Sequence, residues 1–243
     1  MTTKNKSVSY KERGLFGFIK RNPHLWLLLY WLVFFIIFTI AEKLIVEDYT
    51  VMYIPLDDKI PFCKWFAIPY VIWYPYIILP LAYLAFKNPP EFKREMWFVM
   101  LTYTVTIIIY FVFPNGQELR PPLELVQGKN PVDWWLRFLY GYDTNTNVMP
   151  SIHVIGTLAA SFGLLHLKGS RKWWALSIIA VLTVSICLSI VFIKQHSSVD
   201  LFAALALCAV SYPIIYNKRT KEIAQSSALL PIKLKKRNKQ NTI

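Results

Sequence analysis

Six long apolar runs dominate this sequence and restrict it to a helical, membrane-spanning fold. An α-helix needs roughly 20 predominantly apolar residues to cross the hydrocarbon core of a bilayer. The runs lie at approximately 24–41, 65–86, 96–114, 148–167, 173–193 and 201–216. Trp and Tyr residues gather near their ends, where amphipathic rings meet the headgroups. The sequence therefore predicts an all-α integral membrane protein built as a six-transmembrane-helix bundle.

The composition excludes several other classes of protein. Hydrophobic residues make up 55% of the chain, and the net charge is nevertheless +13. A basic nucleic-acid-binding protein would carry more charge and fewer apolar residues, and a disordered chain would lack the 16% of aromatic residues. Three cysteines in 243 residues exclude a small disulfide scaffold. We therefore expect no nucleic-acid partner.

The positions of the Lys and Arg residues predict the side that each loop faces. No Lys, Arg, Asp or Glu lies inside the six runs, and most of the 27 Lys and Arg lie in the N-terminal segment, the second and fourth loops, and the C-terminal tail. By the positive-inside rule these segments face the cytoplasm. We expect a multi-pass plasma-membrane protein with both termini in the cytoplasm and an active site facing outward, among loops one, three and five.

The chain divides into three segments. Residues 1–23 form a basic N-terminal segment, in which 10–21 can lie along the inner membrane surface as an amphipathic helix. Residues 24–216 form the membrane domain, and 217–243 form a basic tail. Five basic residues at 233–239 are expected to rest on anionic lipid headgroups, unless they act only as a topology signal. The oligomeric state is left open.

The third loop, 115–147, carries the signal for a short helix. Asn130 is a favourable N-cap, Pro131 suits the first helical position, and Asp133 places an acid in the first turn. The aromatic-rich residues 134–140 then predict a short interfacial helix. Its role is either to pack on the bundle or to shape a path for lipid.

Two of the four histidines are candidates for chemistry. His153 lies at the outer start of the fourth run, and His196 lies just beyond the fifth. The i, i+4 spacing of His196 and Asp200 places both on one face if the segment is helical. A carboxylate against one ring nitrogen leaves the other free as base or nucleophile. Because Arg120 follows the third run on the same side, we expect three outer loops to bring together one Arg, two His and one Asp.

The start of the fourth run adds a predicted anion site. Thr146 or Asn147 is suited to cap the helix, and Pro150 suits its first turn. The backbone amides near Ser151 would then point outward from a helix N-terminus, where anions bind. Together with the histidines, this site predicts phosphoryl transfer.

The histidines also suit two less reactive roles, as ordinary polar residues or as metal ligands. His24 and His166 suit ordinary polar positions at the headgroup level. His153, His196 and Asp200 have the donor types of an iron or zinc site. Nearby Arg and Lys disfavour a bound cation, so we expect neither a metal nor a cofactor.

Three motifs resemble those of a known family. Residues 150–153 (Pro-Ser-Ile-His) resemble its Pro-Ser-x-His motif, and 189–200 resemble its Ser-Arg-x5-His-x3-Asp motif. Arg120 with Pro121 resembles the end of its Lys-x6-Arg-Pro motif. The chain thus resembles the type 2 phosphatidic acid phosphatases, relatives of the vanadium haloperoxidases, over roughly 96–216.

The resemblance implies a helical bundle and metal-independent hydrolysis of a lipid phosphate or polyprenyl diphosphate through a phosphohistidine. It implies that His196 attacks phosphorus, Asp200 orients His196, and His153 protonates the leaving alcohol. Arg120 and Ser151 would hold phosphate oxygens. Water would then release the phosphate.

Two cations of the family pattern are missing. Phe113 stands where the family has Lys, and Ile190 stands where its Arg follows Ser189. The candidate substitutes for these phosphate-binding cations are Lys194, Lys129 and Arg137. The losses also suit a branch resembling inositol-phosphorylceramide synthases, which transfer a phosphoryl headgroup to an alcohol, or a non-catalytic membrane scaffold. A transporter is disfavoured because the runs contain no charged residue.

Overall fold

The computed structural model describes residues 15–45, 48–128 and 130–231, which are mostly helical. The α-helices are α1 (Leu15–Arg21), α2 (Leu29–Leu44), α3 (Leu56–Lys59), α4 (Ala67–Lys87), α5 (Pro89–Val112), α6 (Pro131–Tyr142), α7 (Ile152–Leu165), α8 (Trp173–Phe192), α9 (Ser198–Ile215) and α10 (Lys218–Gln225). Short 3-10 turns at Pro23–Leu28 and Lys64–Phe66 extend α2 and α4 at their N-termini.

Within the part of the chain that the structure describes, five helical segments are long and apolar enough to cross a membrane, which makes the chain a multi-pass membrane protein. They are Pro23–Leu44, Lys64–Lys87, Pro89–Val112, Trp173–Phe192 and Ser198–Ile215. The fourth predicted run, 148–167, forms the shorter apolar helix α7, Ile152–Leu165. At 1.5 Å per residue its 14 residues extend only about 21 Å, less than the hydrocarbon thickness. A sixth span therefore remains a prediction.

Helix α7 lies at the centre of the bundle, packed against α4, α5, α8 and α9. Small residues permit this close packing, as they do between membrane helices in general. Gly156 is one such position, because a Cβ there would lie 2.7 Å from the Tyr103 hydroxyl of α5. The central position of α7 places its first turn, with His153, among the surrounding helices.

Short backbone pairings join the loops at one end of the bundle, here called the histidine end. Strand β1 (Thr50–Val51) pairs in parallel with β2 (Asn115–Gly116), and Gly116 forms an antiparallel bridge with Thr146. A Cβ on Gly116 would lie 2.6 Å from the ring of Tyr49, so this crossing needs glycine. The first loop, the third loop and the approach to α7 are thereby held together.

The opposite end of the bundle is closed by α10, which packs on the start of α5. The Lys93 ammonium donates to the carbonyls of Ala224 (3.2 Å) and Ser226 (2.6 Å), and Arg94 binds both oxygens of Glu91 at 2.9 Å. Helix α5 thus starts before the predicted run 96–114 and includes charged residues. Here Pro89 initiates the helix, and these contacts stabilise the charges of Glu91, Lys93 and Arg94.

The predicted helix of the third loop is present as α6. The side chain of Asn130 accepts from the Asp133 amide at 3.0 Å, which confirms the predicted N-cap. Its location at the membrane interface stays a prediction. Of the predicted amphipathic N-terminal segment only α1 is described, and the basic residues 233–239 lie outside the described part of the chain.

Candidate active site

His196 and Asp200 contact each other at the histidine end. The His196 Nδ1 lies 3.2 Å from the Asp200 Oδ2 and 3.1 Å from the Val148 carbonyl oxygen. Asp200 is buried at the third position of α9, where its carboxylate also accepts the Ser197 amide at 3.0 Å in a capping box. With Nδ1 protonated toward Asp200, the Nε2 atom keeps its lone pair.

The physical basis of this contact differs from the prediction. His196 lies in the loop before α9 and not on a helix, so the two residues do not share a helix face. The contact forms because Asp200 points back from the first turn toward the loop that precedes it. The spacing correctly predicted the pair, while the assumed helical geometry was wrong.

His153 occupies the same pocket as His196. The two ring centroids are 5.7 Å apart, and His153 packs on the rings of Trp73 (4.3 Å) and Tyr70 (4.7 Å). Its Nδ1 is buried without a hydrogen-bond partner among the described residues. Two imidazoles therefore lie within reach of a single small group, and one of them has an unused nitrogen.

Ser151 links the two histidine segments, but the predicted anion site at α7 is partly occupied. Its hydroxyl lies 3.4 Å from the His196 Nε2, and its amide donates to the Asp200 carbonyl at 3.3 Å. Ser151 itself is the N-cap of α7, and neither Thr146 nor Asn147 caps the helix as predicted. The helix starts later because residues 146–150 are held in an irregular loop.

Asn115 holds that loop and was missed by the sequence analysis. Its buried side-chain oxygen accepts the amides of Val148 (3.0 Å) and Met149 (2.7 Å), and its nitrogen donates to the Met149 carbonyl at 3.1 Å. Three polar contacts across more than 30 residues of chain cannot be inferred from a lone Asn. Asn115 thus positions the segment that leads to Ser151 and His153.

Asp57 of the first loop is a second residue that the sequence analysis missed. Its carboxylate accepts the Ser197 hydroxyl (2.5 Å), the Ser198 amide (2.7 Å) and the Ser198 hydroxyl (2.6 Å). Burial acts to raise the pKa of Asp57, but these hydrogen bonds outweigh it and lower the pKa below its ordinary value. A charged carboxylate therefore anchors the N-terminus of α9 beside His196.

Arg120, predicted to bind phosphate, is engaged by backbone carbonyls. Its guanidinium donates to the carbonyls of Tyr140 (3.1 Å), Asp143 (3.1 Å) and Thr144 (2.7 Å) and lies 5.2 Å from the Tyr140 ring centroid. Burial lowers the pKa of Arg120, and the charge of Asp143 partly opposes this. In this arrangement Arg120 orders the segment that follows α6.

The predicted substitute cations are also engaged elsewhere. The Lys194 ammonium donates to the carbonyls of Asp57 (2.7 Å) and Ile60 (2.6 Å), and Arg137 donates to the Val126 carbonyl at 3.1 Å. Burial lowers the pKa of Lys194. Lys129 lies outside the described residues.

The remaining motif positions lie within helices or at their ends. Ser189 is buried in α8, where its hydroxyl donates to the Ile186 carbonyl at 2.6 Å. Ile190 contributes its carbonyl, which accepts the amides of Gln195 (2.9 Å) and His196 (3.1 Å). Phe113 is the partly exposed C-cap of α5. The backbone at Ile190 therefore shapes the His196 loop without an Arg side chain.

The pocket that contains both histidines has a volume of about 200 Å³ and an acidic lining. No Lys or Arg lines it among the described residues, whereas Glu42 and Asp143 do. The Glu42 carboxylate accepts from Asn147 at 2.8 Å and from the Thr144 hydroxyl. Burial raises the pKa of Asp143, and Arg120 opposes this shift. Neutral donors and the histidines are thus the nearest groups for an anion.

The fold and the pocket define a class: a multi-pass helical membrane protein with two histidines and a buried carboxylate at one end. The chain belongs to the PAP2 superfamily, whose family model matches residues 48–214. No curated protein and no solved structure matches the chain. Membership indicates phosphatase-type activity on phosphoesters. The matched region begins in the first loop and so includes Asp57, whereas the motif resemblance starts only near 96.

Proposed function

We propose that this protein is a lipid phosphatase that hydrolyses a lipid phosphate or polyprenyl diphosphate through a phosphohistidine, without a metal ion. The observation that carries the proposal is the His196–Asp200 contact of 3.2 Å in a pocket shared with His153. A carboxylate-oriented imidazole with a free nitrogen is a suitable nucleophile. An adjacent second imidazole is a suitable general acid.

The proposed reaction has two steps. The Nε2 of His196 attacks phosphorus, the bond to the leaving oxygen breaks, and protonated His153 donates its proton to that oxygen. Asp200 stabilises the positive charge that develops on the His196 ring. Water then attacks the phosphohistidine and loses a proton to His153, which releases phosphate and restores both histidines.

Phosphate oxygens would be held mainly by uncharged donors in this proposal. The Ser151 hydroxyl, 3.4 Å from the His196 Nε2, is closest to the attacking atom. Arg120 would act from behind the pocket wall, through the backbone of the segment that it orders. Its charge also offsets those of Glu42 and Asp143.

We propose that the pocket faces outward from the plasma membrane. The loops at the histidine end are the ones that the charge distribution of the sequence predicts to be outside, and the described basic residues Lys87, Arg171 and Lys221 lie together near the other end. The basic tail would then rest on anionic lipids of the inner leaflet. Accessibility of a cysteine introduced at exposed Tyr142, measured in intact cells, tests this orientation.

The activity is tested by phosphate release from purified protein in detergent with a chelator present. Diacylglycerol, sphingoid and polyprenyl phosphates form the substrate panel, and vanadate is expected to inhibit. The variant His196→Ala is expected to lose at least about 10⁴-fold in turnover, as expected when a nucleophile is removed. His166→Ala is the matched control, because His166 bonds to Phe162 and stacks on Tyr216, away from the pocket. Wild-type turnover by His196→Ala would refute the mechanism.

A second candidate function is transfer of the phosphoryl headgroup to an alcohol. The acidic lining favours it, because the carboxylates of Glu42 and Asp143 are acceptors for the hydroxyl groups of an acceptor alcohol. Hydrolysis and transfer share the first step and differ in the group that attacks the phosphohistidine. Product analysis in the presence of inositol, glycerol or a second lipid distinguishes them. A protein acting only as a scaffold would keep its cellular function after both histidines are replaced.

A further inference from the structure

An apolar groove leads away from the histidine pocket between α2 and α4. It has a volume of about 500 Å³, within the usual range for a ligand site. The groove and the pocket share four lining residues, Phe35, Trp73, Tyr74 and Ile152. The two cavities therefore adjoin, with the reacting histidines at one end of an apolar path.

The groove is long compared with one leaflet of a bilayer. Its α4 wall extends from Trp73 to Phe86, and the antiparallel α2 wall extends from Phe35 to Leu25. Thirteen residues of helix rise about 20 Å, whereas half of the hydrocarbon core is about 15 Å thick. A chain that starts at the pocket and follows the groove would thus pass the middle of the membrane.

The lining of the groove suits hydrocarbon and disfavours water. It consists of aliphatic and aromatic side chains, and none of the described residues that line it is charged. A cavity with such walls lacks the polar partners that would hold an ordered water. Because the groove adjoins the pocket, the hydrocarbon part of the substrate is the occupant that its position favours.

The α2 wall of the groove lies outside the region that the family model matches. The matched region begins at residue 48, whereas Trp31, Phe34 and Phe35 of α2 line the groove. The same helix places Glu42 in the histidine pocket. One helix outside the matched region therefore contributes to both cavities.

We propose that this groove binds a single long hydrocarbon chain of the substrate, alkyl or isoprenoid, and that it sets a preference for chains longer than one leaflet. The inference rests on the proposed function. It adds a substrate class: a lipid phosphate with one chain that is threaded between α2 and α4, while any further chain stays in the bilayer.

A residue partway along the groove provides the test. Ala82 lines the groove nine residues, or about 14 Å, beyond Trp73, so Ala82→Phe is expected to block its far part. Leu79→Phe is the matched control, because Leu79 is 65% exposed and does not line the groove. The assay compares kcat/KM for butyl, octadecyl and polyprenyl phosphates in the same detergent.

In Ala82→Phe we expect kcat/KM for the two long substrates to fall at least about tenfold, because each methylene that loses its apolar contact costs about fourfold. The value for butyl phosphate should stay within about twofold. A fall for only one long substrate would show which chain type the groove selects. An unchanged ratio of long-chain to short-chain activity would overturn the inference. Absence of phosphate release from every substrate by the wild type would instead overturn the proposed function.

A crosslinking measurement on the unaltered protein covers the case in which Ala82→Phe does not fold. An octadecyl phosphate with a photoreactive group at its chain end is expected to label the far end of the groove, at 25–28 or 82–86. Labelling confined to the exposed face of α8, around Val181, would overturn the inference.

Discussion

The two ends of the bundle each bury polar residues, but in different ways. At the α10 end, Glu91 and Arg94 lie one turn apart on the same helix and form an ion pair, and Arg94 also lies 4.6 Å from the Tyr216 ring centroid. At the histidine end, His153, His196 and Glu42 come from three separate segments and line one cavity. Burial of polar groups alone therefore does not mark a functional site. What makes the histidine end the candidate site is that side chains from distant segments converge on one cavity, where the His153 Nδ1 has no partner among the described residues.

The largest expected effect is on catalysis at the histidine end. Asp200→Asn keeps an oxygen to accept the Ser197 amide but no longer stabilises the charged ring of His196. We expect turnover to fall by about 10⁴-fold, as for loss of an orienting carboxylate in a triad, with nearly unchanged thermal unfolding. Phosphate release and unfolding of the same sample measure both quantities. A variant that loses stability and activity in parallel would show that Asp200 acts only as a helix cap.

At the α10 end the expected effect is on stability. Glu91→Gln leaves the buried Arg94 without its ion-pair partner, which is expected to lower the free energy of unfolding by about 3–5 kcal/mol. Activity per folded molecule should not change. Thermal unfolding in detergent measures the loss, with Glu118→Gln at an exposed loop position as control. If Glu91→Gln impaired turnover of fully folded protein, the contrast between the two ends would fail.

Asp57 stabilises the fold and also holds the loop that carries His196, so its replacement is expected to lower both stability and turnover. Asp57→Asn weakens hydrogen bonds to a charged group, which are worth about 1.5–3 kcal/mol, and loosens the loop that holds His196. Because the pKa of Asp57 is lowered by folding, its stabilisation is present above the unfolded pKa of about 3.9 and is lost as pH falls through the folded value. The free energy of unfolding, measured from neutral to acidic pH, should therefore decline less steeply for Asp57→Asn than for the wild type. If the free energy of unfolding depended on pH equally in the two proteins, the charge of Asp57 would not stabilise the fold.

The smallest expected effect concerns the acidic lining of the pocket. Glu42→Gln removes one negative charge but keeps an oxygen for the Asn147 amide. If the substrate is a phosphate dianion, KM should fall about threefold to tenfold, because a charge a few ångströms away costs about 1 kcal/mol in a solvated site. The comparison of KM at low and high salt separates this charge effect from a shape change. A rise in KM would instead indicate that Glu42 binds the substrate.

The sequence predicted which histidine-motif residues come together better than it predicted the surroundings of the outer cations. His153, His196, Asp200 and Ser151 do come together, because motif spacing reflects the local turns that carry these side chains. Arg120 and Lys194 were predicted as phosphate ligands, yet their donors are engaged by carbonyls of loops that are distant in sequence. A cation in an outer loop has many possible acceptors. Which acceptor it binds depends on how the loops pack, and a sequence motif does not specify that packing.

The sequence by itself determined the membrane-spanning class, the helix of the third loop and the pairing of His196 with Asp200. Each of these depends on short-range rules of apolar length, helix capping and local spacing. Only the tertiary structure decided that Asp57 and Asn115 anchor the site, that Glu42 enters the pocket, and that α2 and α4 leave an apolar groove beside it. These features join segments tens of residues apart. They depend on which surfaces meet when the helices pack, and no local pattern specifies that.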